Sequence, residues 1–416
     1  MTMKKQNLRY MKWIGKMIVL LFIFNFQFSI FDCSAQRVSL DECLEKALES
    51  NFSIKIIRNE ARMDKNNLNY STFLPTLEGT AKQTQTRNDT KTENSAGEVN
   101  KMSDVKTDNY TAGVALNWRI FDGLEMFTTH EKQKELLAMG ELAVQQAVEN
   151  LILNVSAAYY NVLVQHHKLM AARHSLELSN ERYDEARVRY KIGNRSGLEA
   201  QQAKIDLNTD SSTYVRQKEA LKSAYITLNK LMNTDLQMVN YVQDTILLGP
   251  QLVLGTLEQK TLAGNTTLLI AKKDQKISAL DLKNARAVLF PTLDFNSGYN
   301  YNKTDTPSSS TTLNRSNGFY WGFSLNVPIF SRLQNRTKIK NAKLELENTE
   351  LSYQEAEKET LGDLALMYNS YENNLLMVNF EIESASVAEA NLDAALEKYK
   401  IGSLSGIEFR EFQRSY

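Results

Sequence analysis

The fold is indicated by a decamer that occurs twice in the chain, as YKIGNRSGLE at 190–199 and as YKIGSLSGIE at 399–408. Seven of its ten positions are identical, at an offset of 209 residues. The same offset aligns LNWRIFDG at 116–123 with LNVPIFSR at 325–332. A match sustained over this distance indicates that one structural plan is written twice.

The duplication sets the predicted organisation of the chain. FLPTL at 73–77 corresponds to LFPTL at 289–293, and Asn51 pairs with Asn265. Each copy is predicted to contain a helix, a strand, a loop, a strand, a very long helix, a turn and a helix. The predicted boundaries are 1–35 for a signal peptide, 36–232 for the first structural repeat, 233–260 for a linker or equatorial segment, and 261–416 for the second repeat.

The second repeat is expected to be truncated. The last helix of the first copy extends to about Met232, and the offset would carry its counterpart to about residue 441. The sequence stops at Tyr416, so we expect it to be a fragment or the product of an early stop.

The first 35 residues have the layout of a secretory signal peptide. Basic residues precede the apolar run Met17–Phe28, and cleavage is expected after Ala35. An anchoring helix is the weaker interpretation, because the run is shorter than the roughly 20 residues that cross a membrane. Lipid attachment to Cys33 is a second alternative, although Phe31 and Asp32 fit a lipoprotein signal poorly.

The predicted long helices have the spacing of coiled coils. Apolar residues recur at steps of four and three in each copy, and a helix of this length must bury its seam against neighbouring long helices. The seam of the first copy comprises Val144, Val148, Leu151, Val155, Ala158, Val162, Leu169, Ala172 and Leu176. The seam of the second comprises Leu361, Leu364, Tyr368, Tyr371, Leu375, Val378, Ile382 and Ala385. These spacings predict long antiparallel coiled-coil helices.

Four segments alternate apolar and polar residues and are predicted strands. Their predicted bounds are Pro75 to about Thr86, Asn109 to Phe121, Pro291 to Asn302 and Gly318 to Val327. The polar stretches of about 87–108 and 303–318 are predicted to be solvent loops. Strands of about ten residues suit a tilted transmembrane barrel, and Trp118 and Trp321 within them are expected at the membrane interfaces.

Four strands cannot close a barrel by themselves, because the smallest bacterial examples have eight. Open strand edges are not tolerated in lipid. Several chains are therefore expected to pool their strands. The alternative is a soluble four-stranded meander that packs on the helices.

Composition and motifs exclude several function classes. With 49 basic and 49 acidic residues and no long basic run, nucleic-acid binding is not expected. The sequence lacks a glycine-rich phosphate loop, a nucleophile elbow and zinc-spaced Cys and His residues. His167 and His174 are two helical turns apart, which is not the spacing of a chelating pair. We expect no enzyme activity, no catalytic residue, no cofactor and no metal.

The duplication, the FLPTL and LFPTL pair, the LNWRIFDG and LNVPIFSR pair and the YKIG turns together resemble the TolC family of outer-membrane efflux channels. The likeness covers 38–416. It implies a mixed α+β fold in which a homotrimer builds a twelve-stranded transmembrane β-barrel in outer-membrane lipid, continued by an α-barrel across the periplasm. It also implies two partners, a periplasmic adaptor (membrane fusion) protein and an inner-membrane RND, ABC or MFS transporter.

The expected function is an exit duct for tripartite efflux or type I secretion. Such a duct passively conducts substrates from the adaptor and the pump to the outside. The alternative is a structural or adhesive outer-membrane coiled-coil protein with a barrel anchor. Two inward seams favour the duct, because an adhesin would place its coil outside the cell.

The YKIG segments are predicted tight turns at the periplasmic tip. Gly193 and Gly402 are placed where each long helix stops, which suits the left-handed residue of a helix cap. Ser196 and Ser405 can cap the helices that follow. The resemblance implies that the adaptor contacts the glycines of these turns, namely Gly193, Gly197, Gly402 and Gly406.

The resemblance also implies a periplasmic gate just beyond the second turn. The predicted gate residues are Tyr399, Glu408, Glu411, Glu199 and Arg195. Leu404 stands where the family has an arginine, whereas the first copy has Arg195 at the equivalent place, and Glu199 matches the acid of the family's ionic lock. Glu408 and Glu411 share a helix face, so a trimer would collect six carboxylates that favour cations. The alternative is that both are solvated acids outside the lumen.

Overall fold

The computed structural model describes residues 38–93, 95–193, 196–239, 242, 246, 249–307 and 312–416. Three predictions fall elsewhere in the sequence. The signal peptide of 1–35, lipid attachment to Cys33 and the gate role of Arg195 lie outside the described residues.

The described elements repeat in the same order. The first half contains α1 (Leu40–Ser50), α2 (Phe52–Asn67), β1 (Thr76–Glu93), β2 (Val99–Phe121), α3 (Glu125–Lys191) and α4 (Gly197–Met232). The second half contains α5 (Leu254–Gly264), α6 (Thr266–Ala287), β3 (Thr292–Asp305), β4 (Leu313–Asn326), α7 (Gln334–Lys400) and α8 (Gly406–Ser415). The long helices α3 and α7 each have 67 residues, so the duplication is also present in the structure.

The helix predicted at the start of each copy is two helices. The break falls at Asn51 in the first copy and at Asn265 in the second, and both residues have extended backbone. The Asn265 side chain accepts a hydrogen bond from the Leu268 N–H and so caps α6. The asparagines aligned by the repeat therefore end one helix and precede the next.

The four strands form one antiparallel sheet in the order β1-β2-β3-β4. The hairpin registers of the two copies correspond, since Thr76 pairs with Asn117 and Thr292 pairs with Asn326. The prediction of solvent loops at 87–108 and 303–318 is largely wrong, because the strands continue into both stretches. Backbone pairing does not require apolar side chains, and the threonines of β1 favour extended structure.

The chain is divided into two compact units. One unit comprises 52–150 and 249–387, and it contains the sheet. In it Lys132 Nζ lies 2.6 Å from an Asp281 oxygen, and Glu135 accepts from Lys273 Nζ at 2.8 Å and from Lys276. Hydrogen bonds from these two lysines lower the Glu135 pKa. These pairs fasten the first part of α3 to α6.

The other unit comprises the described parts of 1–51, 151–248 and 388–416. In it the predicted seam residues Leu151, Val155, Ala158 and Val162 of α3 are buried, as the coiled-coil spacing predicted. Ser50 Oγ and Asn51 Nδ2 donate hydrogen bonds to the carbonyls of Met232 and Leu231. The end of α1 is thereby tied to the end of α4.

The described helices include none that is both long and apolar enough to cross a membrane.

Candidate functional site at the helix turns

The two predicted turns have the backbone that their glycines permit. Gly193 has a φ of +75° and Gly402 a φ of +80°, and both follow the last residues of a long helix. Ser403 N donates to the Lys398 carbonyl at 3.0 Å, and Gly402 N donates to the Tyr399 carbonyl at 3.0 Å. This is the hydrogen bonding of a left-handed helix cap, as the sequence predicted.

Serine caps begin the helices after both turns. Ser196 Oγ accepts from Leu198 N at 3.2 Å, and Ser405 Oγ accepts from Glu408 N at 3.3 Å. The Glu408 carboxylate accepts in return from the Ser405 N–H at 2.9 Å and from its hydroxyl at 2.7 Å. These bonds lower the Glu408 pKa and complete a capping box. The predicted gate acid Glu408 therefore has a local structural partner.

Tyr399, the predicted gate aromatic, lies in a core. Its exposure is 1%, and its ring stacks on Phe409 with centroids 5.2 Å apart. The Arg189 guanidinium lies 4.9 Å from the ring centroid and donates to the Tyr399 carbonyl at 2.9 Å. Burial raises the Tyr399 pKa. The hydroxyl has no hydrogen-bond partner in the structure, so this residue acts here by packing.

A buried ion pair joins α8 to α4. Arg410 donates two hydrogen bonds to Asp210, from Nη1 at 2.6 Å and from Nη2 at 2.7 Å. The side chains are only 10% and 11% exposed. Ser179 of α3 donates to the same carboxylate, and Gln413 Nε2 donates to Ser179 Oγ at 3.0 Å. One network thus connects α3, α4 and α8.

The charges of this pair are mutually stabilised. Burial acts to raise the Asp210 pKa, but hydrogen bonds from Arg410 and Ser179 outweigh it and hold the pKa below its usual value. The hydrogen bond to Asp210 raises the Arg410 pKa. Both groups therefore remain charged at neutral pH.

A second buried ion pair, between Arg182 and Asp206, lies beside the first. Arg182 Nη1 also donates to the carbonyl of Gly406, the first residue of α8, at 3.3 Å. Gln202 Nε2 donates to the other Asp206 oxygen at 3.2 Å. We call Arg182, Asp206, Asp210, Arg410, Ser179 and Gln413 the tip network.

Two further predicted gate residues, Glu199 and Glu411, lie nearby, around a cavity of about 570 Å³. Its lining includes Tyr399, Glu199, Glu411, Arg410 and Arg414. Glu411 is exposed and lies 3.9 Å from Arg414. The structure therefore brings Tyr399, Glu199 and Glu411 together, and Gly406 adjoins Glu199.

Sequence reasoning missed the tip network. Its charged members look like ordinary solvated helix residues, because ionisable side chains are seldom buried. The available signal was a difference between the copies, since the offset of 209 carries Arg182 onto Asn391 and Gln201 onto Arg410. The charge of Arg410 has no counterpart in the first copy, as expected of a contact that α8 makes with the first copy rather than within its own.

Trp118 and Trp321, the predicted interface aromatics, both lie in the sheet. Trp118 Nε1 donates to the Phe73 carbonyl at 3.0 Å, where β2 meets the turn before β1. Trp321 is 65% exposed and contacts Phe323 edge to face. No cluster of His, Cys, Asp and Glu that suits a metal ion is found among the described residues.

Known proteins with the same plan are outer-membrane channels. The family model described as "Outer membrane efflux protein" matches residues 43–234 and 257–416. "Outer membrane protein TolC" of Escherichia coli K12 is 21% identical over 309 residues, which are 70% of this chain and 61% of that protein. "Cation efflux system protein CusC" of the same strain is 23% identical over 308 residues, which are 70% of this chain and 65% of the relative. The chain thus spans under two thirds of the length of these relatives.

Among solved structures, the CmeC outer membrane channel of Campylobacter jejuni aligns with a TM-score of 0.76 at 18% identity. The alignment covers 90% of this chain and 79% of that one. At this identity the likeness establishes the fold, whereas the family model establishes the membership. The relatives are channel proteins, which fits a chain that is not an enzyme. The chain belongs to the outer membrane efflux protein family and is a TolC-like protein of the outer membrane.

Proposed function

We propose that the chain is the exit duct of a tripartite efflux or type I secretion system. Three copies would form one conduit, with the sheet in the outer membrane and the helices in the periplasm. A periplasmic adaptor and an inner-membrane RND, ABC or MFS pump would deliver the substrate. Family membership and the likeness to solved channels support this proposal.

The observation that carries the proposal is the apolar surface that a single chain leaves uncovered. Four apolar residues alternate along β4 and are each at least 60% exposed, namely Phe319, Trp321, Phe323 and Leu325. A soluble monomer rarely exposes a contiguous apolar patch of this kind, whereas membrane and subunit interfaces bury one. Lipid and the strands of further copies are therefore the natural surroundings of this sheet.

We place the periplasmic constriction at the helix turns. The buried Arg410–Asp210 pair attaches α8 to α4, and Ser179 of α3 donates to the same carboxylate, so movement of α8 would require this pair to break. Leu404 carries no charge for the family's lock at that position, and we propose that the buried Arg410–Asp210 pair restrains α8 instead. Glu408 and Glu411 would contribute negative charge at the constriction, and the gate role of Arg195 remains part of this proposal.

The adaptor is proposed to contact the turns at Gly193, Gly197, Gly402 and Gly406. Each turn is compact, and a bulky residue at a positive φ would distort it. Gly402→Val should therefore disrupt adaptor coupling. Gly97→Val is the matched control, because Gly97 also has a positive φ, +79°, and open space, but lies at the β1–β2 hairpin.

The test uses a strain that lacks its own exit duct but keeps an adaptor and a pump. The full-length gene should restore efflux of a fluorescent dye, and the restoration should disappear when the adaptor is deleted. The Gly402→Val variant should reach the outer membrane without restoring efflux, whereas Gly97→Val should restore it. Outer-membrane insertion without any efflux would instead favour the alternative, a structural or adhesive coiled coil.

A further inference from the structure

Within the part of the chain that the structure describes, the sheet has two unpaired edges, the outer side of β1 and the outer side of β4. The duplication relates these strands to the two inner ones. β4 corresponds to β2 at an offset of 209, and β1 corresponds to β3 at an offset of 216, the offset of Pro75 and Pro291. The two hairpins agree with both offsets. The paired residues Thr76 and Asn117 of the first hairpin correspond to Thr292 and Asn326, which are paired in the second.

The inner pair β2–β3 therefore shows how the edges of two copies can meet. In that pair Asn117 lies opposite Asn296. The same offsets carry Asn117 onto Asn326 and Asn296 onto Thr80. Asn326 and Thr80 are on opposite edges of one four-stranded sheet, which is too small to close on itself. Only a second copy can bring the two strands together.

We propose that β4 of one copy pairs antiparallel with β1 of the next, in the register that places Asn326 opposite Thr80. The same register places Asn317 opposite Asp89. The inference rests on the proposed function, because only an assembly of several copies presents the second edge. It goes further by naming the residues that meet.

Side-chain chemistry supports this register independently of the backbone. Between β2 and β3, Lys303 Nζ lies 5.3 Å from the centroid of the Tyr110 ring. The offsets carry Tyr110 onto Phe319 and Lys303 onto Arg87. A cation would again lie beside an aromatic ring, which is an attractive arrangement. Phe319 is 68% exposed in the single chain, so its ring is open to such a contact.

The register also has a defined end. Between β2 and β3, Arg119 Nε and an Asp294 oxygen form an ion pair at 2.9 Å. The counterpart of Arg119 is Pro328, which has neither the charge nor a backbone N–H to donate. The pairing between copies is thus expected to end just after Asn326, the last residue of β4.

Disulfide trapping tests the register directly. The first variant carries Leu325→Cys and Ala81→Cys, and the second carries Asn326→Cys and Thr80→Cys. Adjacent pairs in an antiparallel ladder alternate in type, so one of the two has the shorter Cα separation. The native background is suitable because Cys43 is buried and its thiol pKa is raised to about 11 by that burial.

Intrachain pairs supply matched positive controls. Leu116→Cys with Ser297→Cys, and Asn117→Cys with Asn296→Cys, are the repeat equivalents of the two test pairs and face each other within one chain. These controls show which of the two types of cross-strand pair allows a disulfide to form in this sheet. The negative control keeps Leu325→Cys and moves the partner by two residues, to Gln83→Cys, which enlarges the separation to about 7–8 Å. Single-cysteine variants complete the set.

After oxidation in the outer membrane, we expect a covalent trimer on a non-reducing gel from the test pair whose intrachain equivalent links. The shifted pair should yield roughly a tenth as much or less. Equal or better linking by the shifted pair would overturn the register, as would no intermolecular product where the intrachain control links. Dye efflux is measured on the reduced protein, so efflux without the expected link rejects only the register. A link without efflux rejects only the proposed function.

Discussion

Removing Arg410 should detach α8 more than any comparable change at an exposed ion pair. Asp210 is 11% exposed and accepts two hydrogen bonds from Arg410. In Arg410→Met it would keep Ser179 as a donor but lose its counter-ion. Leaving one charge of a buried pair without its partner costs about 3–5 kcal/mol.

Hydrogen–deuterium exchange of the assembled protein measures this cost where it arises. A local loss of about 3–5 kcal/mol corresponds to roughly 10²- to 4 × 10³-fold faster exchange of α8 amides, because each 1.4 kcal/mol is about tenfold. Arg173→Met is the control, since Arg173 pairs with Glu177 on the exposed surface of α3 and should change exchange by only about twofold.

The double variant Arg410→Met with Asp210→Leu distinguishes two costs of the single variant: the lost attraction between the two charges, and the burial of the Asp210 carboxylate without a counter-ion. Replacing both partners by apolar residues of similar size should recover most of the protection. If Arg410→Met changed α8 exchange no more than Arg173→Met, the tip network would not hold α8, and the proposed constriction would need another basis.

Three further outcomes are expected. The depressed Asp210 pKa contributes stability that is complete above its unfolded value of about 3.9 and is lost as pH falls below it. The protection of α8 amides, corrected for the pH dependence of intrinsic amide exchange, should therefore fall only below about pH 4 and not between about 5 and 7. Gly123→Ala should lower the melting temperature of the assembly more than Gly193→Ala. Both substitutions add strain at positive φ, but only the first places a Cβ 2.5 Å from the Ala287 carbonyl oxygen. Equal decreases in melting temperature would refute this. In single-channel recordings, Glu408→Gln with Glu411→Gln should reduce cation preference and block by multivalent cations, and unaltered selectivity would reject their place in the lumen.

The backbone was predictable from the sequence at positions where the required conformation suits only one residue type. Gly193 and Gly402 follow helices of fixed length and have the predicted left-handed backbone. The ends of the hairpins were not predictable from side-chain polarity, because Thr90 and Thr92 sit in a polar stretch and still continue β1. Backbone hydrogen bonds, rather than an apolar face, extend those strands.

The predicted gate set illustrates what a motif leaves undetermined. Glu408 lies on α8 just after the second turn, but its carboxylate accepts a hydrogen bond from Ser405, the cap of its own helix. A motif does not specify whether such a carboxylate bonds to the cap or faces a lumen. The tip network could not be derived by spacing alone, since its members lie up to 234 residues apart in sequence. Their partnership depends on how α8 meets α3 and α4, which only the folded chain specifies.

The separation of Arg410 from Asp210 by 200 residues has a consequence for the order of biogenesis. A chain translocated from its amino terminus can tie α1 to α4 as soon as Asn233 has emerged, because Ser50 and Asn51 are already present. Asp210 must then remain hydrated until Arg410 arrives, since burying a lone carboxylate is unfavourable. We therefore expect newly exported chains to pass through a period in which α1 is joined to α4 while Asp210 is still open to water.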